Sequence, residues 1–386
     1  MTLHSRSAEP RGPSFLTMKP HPLFLTVTLF LFAFPFYMMN GLAVLDNPSA
    51  IAVTAFGILL FLFALVYFAS YSEDALYYVF VALSFVSGMS AVVVLEEDGY
   101  ISNFLEVYMR QGEPYLSTAH GLMNCYWAAT THFALQLAMI AAITQRKSYR
   151  NLGFYWVGSL TMNFVVYLLG NVVGKYGSEI RPDFFLNIPL LLTLIWAACR
   201  IFAQPKTLPL ETADKVLEEQ CKSLFQRPLD LVLMGFLLFD ISFTLFRGLV
   251  VLDCKADICF DYINQQEPYL RDPVAYPKIQ MLVFLFYGLP YFCFCLYGLL
   301  TPGSSWMPDW ALISAGAIAQ AQFSHIGSSL HQHTPFPYRT PDSAWWLVTL
   351  FNLAYAVGPH LLVYRCLRNP AFFSPVVSQD DIKKNQ

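Results

Sequence analysis

Charged residues are scarce in this sequence. Asp, Glu, Lys and Arg make up 13% of the 386 residues, about half of the share that is usual in soluble domains. Too few polar side chains are present to cover a water-facing surface, which excludes a soluble enzyme. No basic run is longer than a pair and the formal net charge is −3, so we expect no binding of nucleic acid. With a mean hydropathy of +0.47, the chain is predicted to be a polytopic membrane protein.

Long polar intervals are also rare, and runs of about 20 apolar residues, the length that crosses a hydrocarbon core, recur ten times. The sequence therefore predicts an all-α fold with about ten transmembrane helices. The first run has no small-residue cleavage site directly after it, so we expect it to stay as a signal anchor. The predicted spans are Leu23–Leu45, Ile51–Ser70, Ala75–Leu95, Ala119–Thr144, Leu152–Val173, Phe184–Phe202, Leu231–Leu252, Ile279–Leu300, Trp310–Leu330 and Ala344–Val363.

Basic residues are few on one side of the predicted membrane. Fifteen Lys and Arg residues lie on the side that holds both termini and seven on the other. Because basic loops stay in the cytosol, we expect both termini to be cytosolic. The tail ends in Lys383-Lys384-Asn385-Gln386, which resembles a dilysine retrieval signal that the coat-protein machinery reads. The alternative is an ordinary solvated polar tail.

Cysteines are nearly absent from the predicted lumenal loops. Of the eight cysteines, only Cys254 and Cys259 fall in such a loop, where oxidation is permitted. We expect these two to form a disulfide, and the alternative is a pair of free thiols.

A repeat organises the spans. The string Glu113-Pro114-Tyr115-Leu116 recurs as Glu267-Pro268-Tyr269-Leu270, and each copy follows a span that ends in a similar apolar string. The third to sixth spans therefore match the seventh to tenth, which predicts two four-helix bundles related by an axis along the membrane normal. The predicted units are an N-terminal segment with a helical hairpin (1–70), the first bundle (71–204), a cytosolic linker (205–228), the second bundle (229–368) and a cytosolic tail (369–386).

These strings resemble the transmembrane 6 superfamily, whose four-span units are called EXPERA domains. The resemblance runs from about residue 75 to 372 and includes Tyr149-Arg150-Asn151, Ser178-Glu179-Ile180-Arg181-Pro182, Phe246-Arg247-Gly248-Leu249-Val250 and Gln320-Ala321-Gln322-Phe323-Ser324-His325. It implies a multi-pass protein of the endoplasmic reticulum and the ER–Golgi intermediate compartment, which promotes lipidation and secretion of triglyceride-rich lipoproteins and limits lipid-droplet content. The implied partners are membrane lipids, a sterol or neutral lipid, and lipoprotein-assembly proteins; no cofactor is implied.

The wider EXPERA group includes sterol isomerases, and their chemistry can be compared with these residues. Moving a ring double bond needs an acid, groups that stabilise a carbocation, and a base. The related enzymes resemble one another in a His-x-x-x-Glu-Gly string and a Glu in the next span. The second unit here has Phe243 and Arg247 in that string, and the first has Val86 and Ser90, with Ala128 in the following span. The isomerase pattern is therefore absent from both units.

Other polar residues within spans are the remaining candidates for catalysis. Asp240 lies near the middle of its span, and Arg247, seven residues later, is on the same helical face. Asp240 and Arg247 are either a functional carboxylate with its Arg partner or a structural charge pair. A further alternative is an Asp240 that is kept neutral. We favour a structural role. His132 and His325 are the other candidate acids, although a single His between apolar helices more often forms an interhelical hydrogen bond.

Three classes of function remain. We favour a protein that binds a sterol or neutral lipid between its repeats without catalysis. The alternative is a sterol isomerase of the Δ8–Δ7 type with a rearranged site, and a transporter is disfavoured because no interrupted helix pair is visible. His325, His331 and His333 have no metal-ligand spacing, and no metal is expected. The candidate pocket residues are Trp127, Asp240, Arg247, Gln322, His325 and Asn352.

Overall fold

A computed structural model describes residues 47–69, 72–206 and 212–375. Within these ranges the chain is mostly helical and contains no β-strand, which confirms the predicted all-α class. We number the principal helices α1 (Pro48–Ala69), α2 (Ala75–Glu97), α3 (Ala119–Thr144), α4 (Arg150–Val173), α5 (Asn187–Phe202), α6 (Ala213–Cys221), α7 (Pro228–Val251), α8 (Tyr276–Leu300), α9 (Met307–Leu330) and α10 (Trp345–Arg368).

The long helices coincide with the predicted spans that fall in the described ranges. Eight of the described helices are long and apolar enough to cross a membrane. Helix α9 matches a predicted span in position but is not among the eight, because its buried side carries Gln320, Gln322, Ser324 and His325. The predicted span Leu23–Leu45 and the retrieval lysines at 383 and 384 lie outside the described residues.

The two Glu-Pro-Tyr-Leu strings adopt the same backbone path. In each copy a π-helical turn leads into a 3₁₀ turn that begins at the proline: Tyr108–Gly112 is followed by Pro114–Ser117, and Tyr262–Gln266 by Pro268–Arg271. Both turns precede the second helix of a unit, at the same end of the bundle. We call this end the motif side; it is the side predicted to be lumenal.

The second helix of each unit carries a further irregularity. A π turn interrupts α3 at Ala128–His132 and α8 at Phe284–Gly288. Such turns are rare inside long helices and often mark functional sites. Their recurrence at corresponding places supports the predicted repeat, while the boundaries of the predicted domains stay a prediction.

Helices α4 and α9 pack against each other without intervening side chains at two glycines. A Cβ on Gly158 would lie 1.8 Å from the carbonyl oxygen of Ile313, and one on Gly316 would lie 2.0 Å from that of Tyr155. Gly158 thus faces Ile313, three residues before Gly316, and Gly316 faces Tyr155, three residues before Gly158. This reciprocal contact is what a two-fold relation between the helices produces, and small residues permit such close approach of helices in membranes.

Buried ion pairs join helices at the end opposite the motif side. Arg150 donates from Nη1 and Nη2 to the two oxygens of Asp309, at 2.6 and 3.0 Å. The pair joins the first turns of α4 and α9, so these helices run parallel. Asp230 in α7 accepts from Arg365 Nε at 2.6 Å and also from Arg227. The first and second units are therefore connected by charge as well as by helix packing.

Candidate functional site

The second unit contains a fully buried polar cluster centred on Arg247. From α7, this side chain donates from Nη2 to Glu267 Oε1 at 2.6 Å and from Nη1 to Asn352 Oδ1 at 2.9 Å. Nε2 of His325 in α9 lies 2.7 Å from Arg247 Nη2 and 2.8 Å from Glu267 Oε1. Tyr262 donates to the second oxygen of Glu267 at 2.8 Å. The cluster fills the space between the helices and the second Glu-Pro-Tyr-Leu turn.

Asp240 is not part of this cluster. Its side chain is fully buried in α7, and neither carboxyl oxygen has a hydrogen-bond partner among the described residues. It lies against α10, where a Cβ on Gly358 would be 3.1 Å from its Oδ2. The pair of Asp240 with Arg247, which two of the alternatives assumed, is therefore not formed, and the alternative of a neutral Asp240 stays a prediction. Glu267, which follows Arg247 by twenty residues, reaches the guanidinium instead because its turn folds back over α7.

Trp127 and His132 in α3 both contact Ser159 in α4, and Gln322 lies in α9. Ser159 Oγ lies 2.8 Å from His132 Nε2 and accepts a hydrogen bond from Trp127 Nε1, also at 2.8 Å. His132 and Trp127 are thus tied to α4 through one hydroxyl. Gln322 is buried, and its amide atoms have no hydrogen-bond partner among the described residues.

A mostly apolar cavity of about 270 Å³ lies inside the first unit. Helices α2, α3, α4 and α5 contribute to its walls, and α1, which lies outside the repeat, contributes Ala55, Ile58 and Leu59. Its volume is close to the lower end of the range for small-molecule sites. The polar side chains in its lining are Ser87, Ser90, Tyr108, Glu113, Asn124, His132, Gln136, Asn163, Tyr167 and Asn187.

The positions that carry the catalytic residues in the isomerases line this cavity in the first unit. Val86, Ser90 and Ala128, which stand at the positions of the missing His and Glu residues, all line it. Of the predicted catalytic candidates only His132 is in the lining, and none of the six predicted pocket residues is. The site between the repeats stays a prediction, whereas this cavity is lined by helices of the first unit together with α1.

Sequence reasoning missed Glu113 as a site residue. Its motif was recognised only as evidence for a repeat, although a Glu repeated in both loops is itself a signal for a common role. In the structure Glu113 lines the cavity, and its Oε1 accepts a hydrogen bond from Asn187 Nδ2 at 3.2 Å. No ion pair joins Glu113 to any of the residues that the structure describes.

The two motif glutamates have opposite electrostatic surroundings. Burial raises the pKa of Glu113 to about 7, with a further increase from the nearby Asp183 charge, against a smaller opposing effect of hydrogen bonds from Asn187 and Tyr108. Burial also opposes ionisation of Glu267, but Arg247 and the neighbouring hydrogen bonds outweigh it and lower the pKa of Glu267 to about 2. One motif carboxyl is therefore poised to carry a proton near neutral pH, and the other is a fixed carboxylate.

The residues that differ between the units explain this contrast. Ser90 lies two residues before the apolar string Val92–Glu96, and Arg247 lies two residues before the matching string in α7. Ser90 and Arg247 therefore occupy corresponding positions in the two units. Tyr167 follows Gly158 by nine residues, as His325 follows Gly316. Both Ser90 and Tyr167 line the cavity. The first unit thus has a hydroxyl and a phenol where the second unit has its cation and imidazole, and the cavity occupies the space.

The loop cysteines lie close together on the motif side. Cys254 and Cys259 are free thiols in the structure and are joined by a hydrogen bond, which lowers the pKa of Cys254. The proximity is compatible with the predicted disulfide, which stays a prediction. No three His, Cys, Asp or Glu side chains in the described ranges are grouped in a way that could hold a metal ion.

Repeated long apolar helices and a cavity lined mainly by one helical unit are the features of a polytopic membrane protein of the EXPERA type. Consistent with this class, residues 255–366 match the model of the EXPERA (EXPanded EBP superfamily) family. Residues 32–212 match the family model described as transmembrane 6 superfamily member 2-like, transmembrane domain.

Comparison of the whole chain leads to the family. The chain is 53% identical to mouse transmembrane 6 superfamily member 2 over 91% of its length and 94% of the relative. It is 54% identical to the human protein of that name over 87% of its length and 90% of the relative. The chain belongs to the transmembrane 6 superfamily, which confirms the resemblance seen in the sequence. No solved structure matches it.

Proposed function

We propose that this protein binds a sterol or neutral lipid in the cavity of its first unit and does not transform it. The observation that carries the proposal is the lining itself, where Val86, Ser90 and Ala128 replace the groups that isomerisation would need. An apolar cavity without these groups still binds an apolar ligand, because each Å² of buried apolar surface contributes about 25 cal/mol.

We further propose that lipid binding supports the lipidation and secretion of triglyceride-rich lipoproteins and limits lipid-droplet content. The support for this role is the family resemblance, which also suggests the endoplasmic reticulum and the ER–Golgi intermediate compartment as the location. Lipoprotein-assembly proteins would be the partners, and retrieval through Lys383 and Lys384 would keep the protein in these membranes.

The second unit is unsuited to the same task. Arg247, Glu267, His325 and Asn352 bond to one another and fill the corresponding space. A fixed positive charge there would also oppose a carbocation. We therefore assign the ligand to the first unit and a structural role to the cluster in the second.

The experiment is labelling of the purified protein with a photoactivatable sterol. Leu190 and Leu192 lie in the same helix, but Leu190 lines the cavity whereas Leu192 is 60% exposed on the outer face. Leu190→Trp should fill the cavity and reduce labelling several-fold, and Leu192→Trp should leave labelling unchanged. Equal labelling of both variants would contradict the proposed site.

One observation favours the alternative function, sterol isomerisation. Glu113 and His132 line the same cavity, so a potential acid and a second polar group face one ligand space. Added Δ8-sterol should be recovered unchanged if binding is not followed by catalysis. Conversion that is lost in Glu113→Gln or His132→Ala would replace the binding proposal with an isomerase whose site is built from different residues.

A further inference from the structure

Glu113 lines the cavity, and its carboxyl group has no counter-charge among the residues that the structure describes. Glu113 is buried, and Asn187 and Tyr108 already donate hydrogen bonds to its oxygens. A buried carboxylate normally needs a cation as well, since hydrogen bonds alone seldom offset its lost hydration. In the second unit Arg247 meets this need for Glu267.

The groups around Glu113 do not supply that charge. Asp183, in the turn before α5, is a second buried carboxyl, and its oxygens have no hydrogen-bond partner among the described residues. The nearby Arg181 donates to the backbone oxygens of Arg110 and Gln111. A second acid beside Glu113 makes its ionised form less favourable.

The other helices contribute neutral groups to the cavity lining. Helix α2 contributes Ser90, α3 contributes Cys125 and His132, and α4 contributes Tyr167. Tyr108 comes from the π turn before the motif, and burial raises its pKa well above the ordinary value, so that it stays a phenol. No cation in the described part of the chain pairs with this carboxyl, so a proton is the simplest way to neutralise it.

We propose that Glu113 holds its lipid in the protonated state, donating its O–H to the oxygen at the polar end of the ligand. This inference rests on the proposed binding function and deepens it. The ligand is then an uncharged lipid with a hydrogen-bond acceptor at one end of an apolar body, such as a sterol or an acylglycerol. Asn187 and Tyr108 donate to the carboxyl oxygens, and protonation adds the O–H, which is the only group of the Glu113 side chain that can donate to a ligand.

Proton-dependent binding has a defined sign. Burial raises the pKa of Glu113 to about 7. A ligand that binds only the protonated form has its full affinity below this pKa and loses affinity as the pH rises through it. From pH 6 to pH 8 the affinity should fall on the order of tenfold for one linked proton. A ligand that donated its hydroxyl to the carboxylate would give the opposite trend.

The test is equilibrium binding of a labelled sterol to the full-length protein in nanodiscs at pH 6, 7 and 8. The corresponding 3-ketone, which accepts but cannot donate a hydrogen bond, is measured beside it, and dioleoylglycerol competes in a third series. We expect the sterol and the ketone to bind about tenfold more weakly at pH 8 than at pH 6. Competition by dioleoylglycerol distinguishes an acylglycerol ligand from a sterol.

Glu113→Gln should bind with an affinity that does not change with pH and that equals the wild-type affinity at pH 6, since the amide donates in place of the acid. Glu106→Gln is the matched control, because Glu106 is an exposed residue of the same loop, and it should keep the wild-type pH dependence. Affinity that rises with pH, a ketone that does not bind, or unchanged pH dependence in Glu113→Gln would overturn the inference. Absence of binding at every pH would instead refute the proposed binding function.

Discussion

Glu113 and Glu267 stand at the same place in a repeated motif, but their environments give them opposite effects on stability. Glu113 is a buried acid beside a second acid, whereas Glu267 is bonded to Arg247. The same carboxyl group thus destabilises one unit when it is ionised and stabilises the other. This difference can be measured with one type of substitution at two positions.

Glu113→Gln should stabilise the protein at pH 8 and have little effect at pH 5. The folded-state pKa of Glu113 is about 7 and the ordinary value is 4.5, so the native state loses stability as the pH rises between these values. The full cost at high pH is about 3 kcal/mol. Thermal unfolding in nanodiscs at the two pH values measures it, and a variant that is less stable than wild type at pH 8 would contradict the electrostatic account.

Glu267→Gln should destabilise the protein at both pH values, because it leaves the Arg247 charge buried without its carboxylate. Breaking a buried pair in this way typically costs about 3–5 kcal/mol. The same unfolding measurement provides the comparison. A neutral effect of Glu267→Gln would mean that the cluster contributes little to the fold of the second unit.

For individual residues, the sequence predicted well which polar side chains are buried. It predicted less well which of these side chains contact one another. Arg247, His325 and Asn352 were all singled out, and the structure brings these three together. Helical periodicity suggested the partner of Arg247 to be Asp240 in the same helix. The actual partner lies in a loop whose path depends on tertiary packing, which periodicity does not describe.

At the scale of elements, the close contact of α4 and α9 depends on the absence of side chains at two positions. Gly158→Ala should lower the thermal stability markedly, since its Cβ would lie 1.8 Å from a backbone oxygen that cannot move independently. Overpacking of this kind costs about 1–3 kcal/mol or more. Gly235→Ala in α7 is the control, because a Cβ there meets nothing within 4 Å. Equal melting temperatures for the two variants would contradict the close packing of these helices.

Helix positions and the repeat followed from the sequence because both depend on apolar run length and on recurring strings. The π turns in α3 and α8 did not, since no residue pattern distinguishes a π turn within an apolar run. Helix α9 was identified despite its polar residues, which are buried in the centre of the bundle. The cavity could not be predicted, because its lining comes from several helices that are distant in sequence.

For the whole molecule, the predicted topology places both termini in the cytosol. Epitope tags at either end should be accessible to antibody when only the plasma membrane is permeabilised. A tag on the motif side, inserted after Asn264 in the second loop, should become accessible only when the internal membranes are also opened. The reverse pattern would refute the orientation, and with it the proposed retrieval signal.

Retrieval is a separate property of the whole molecule. Replacement of Lys383 and Lys384 by Ser should let the protein reach later secretory compartments, if the tail is read by the coat machinery. Fluorescence microscopy beside a Golgi marker measures the redistribution, and Lys215→Ser is the control for loss of one cytosolic charge. Unchanged reticular staining would place the retention signal elsewhere in the chain.

The central claim is that the ligand binds within the first unit and not in the cluster of the second. The most direct measurement is peptide mapping of the protein after irradiation with a photoactivatable sterol. Labelled peptides should come from the cavity walls, for example around Ile58 in α1, Val93 in α2 and Leu190 in α5. Labelling concentrated instead around Asp240, Arg247 and His325 would contradict the account.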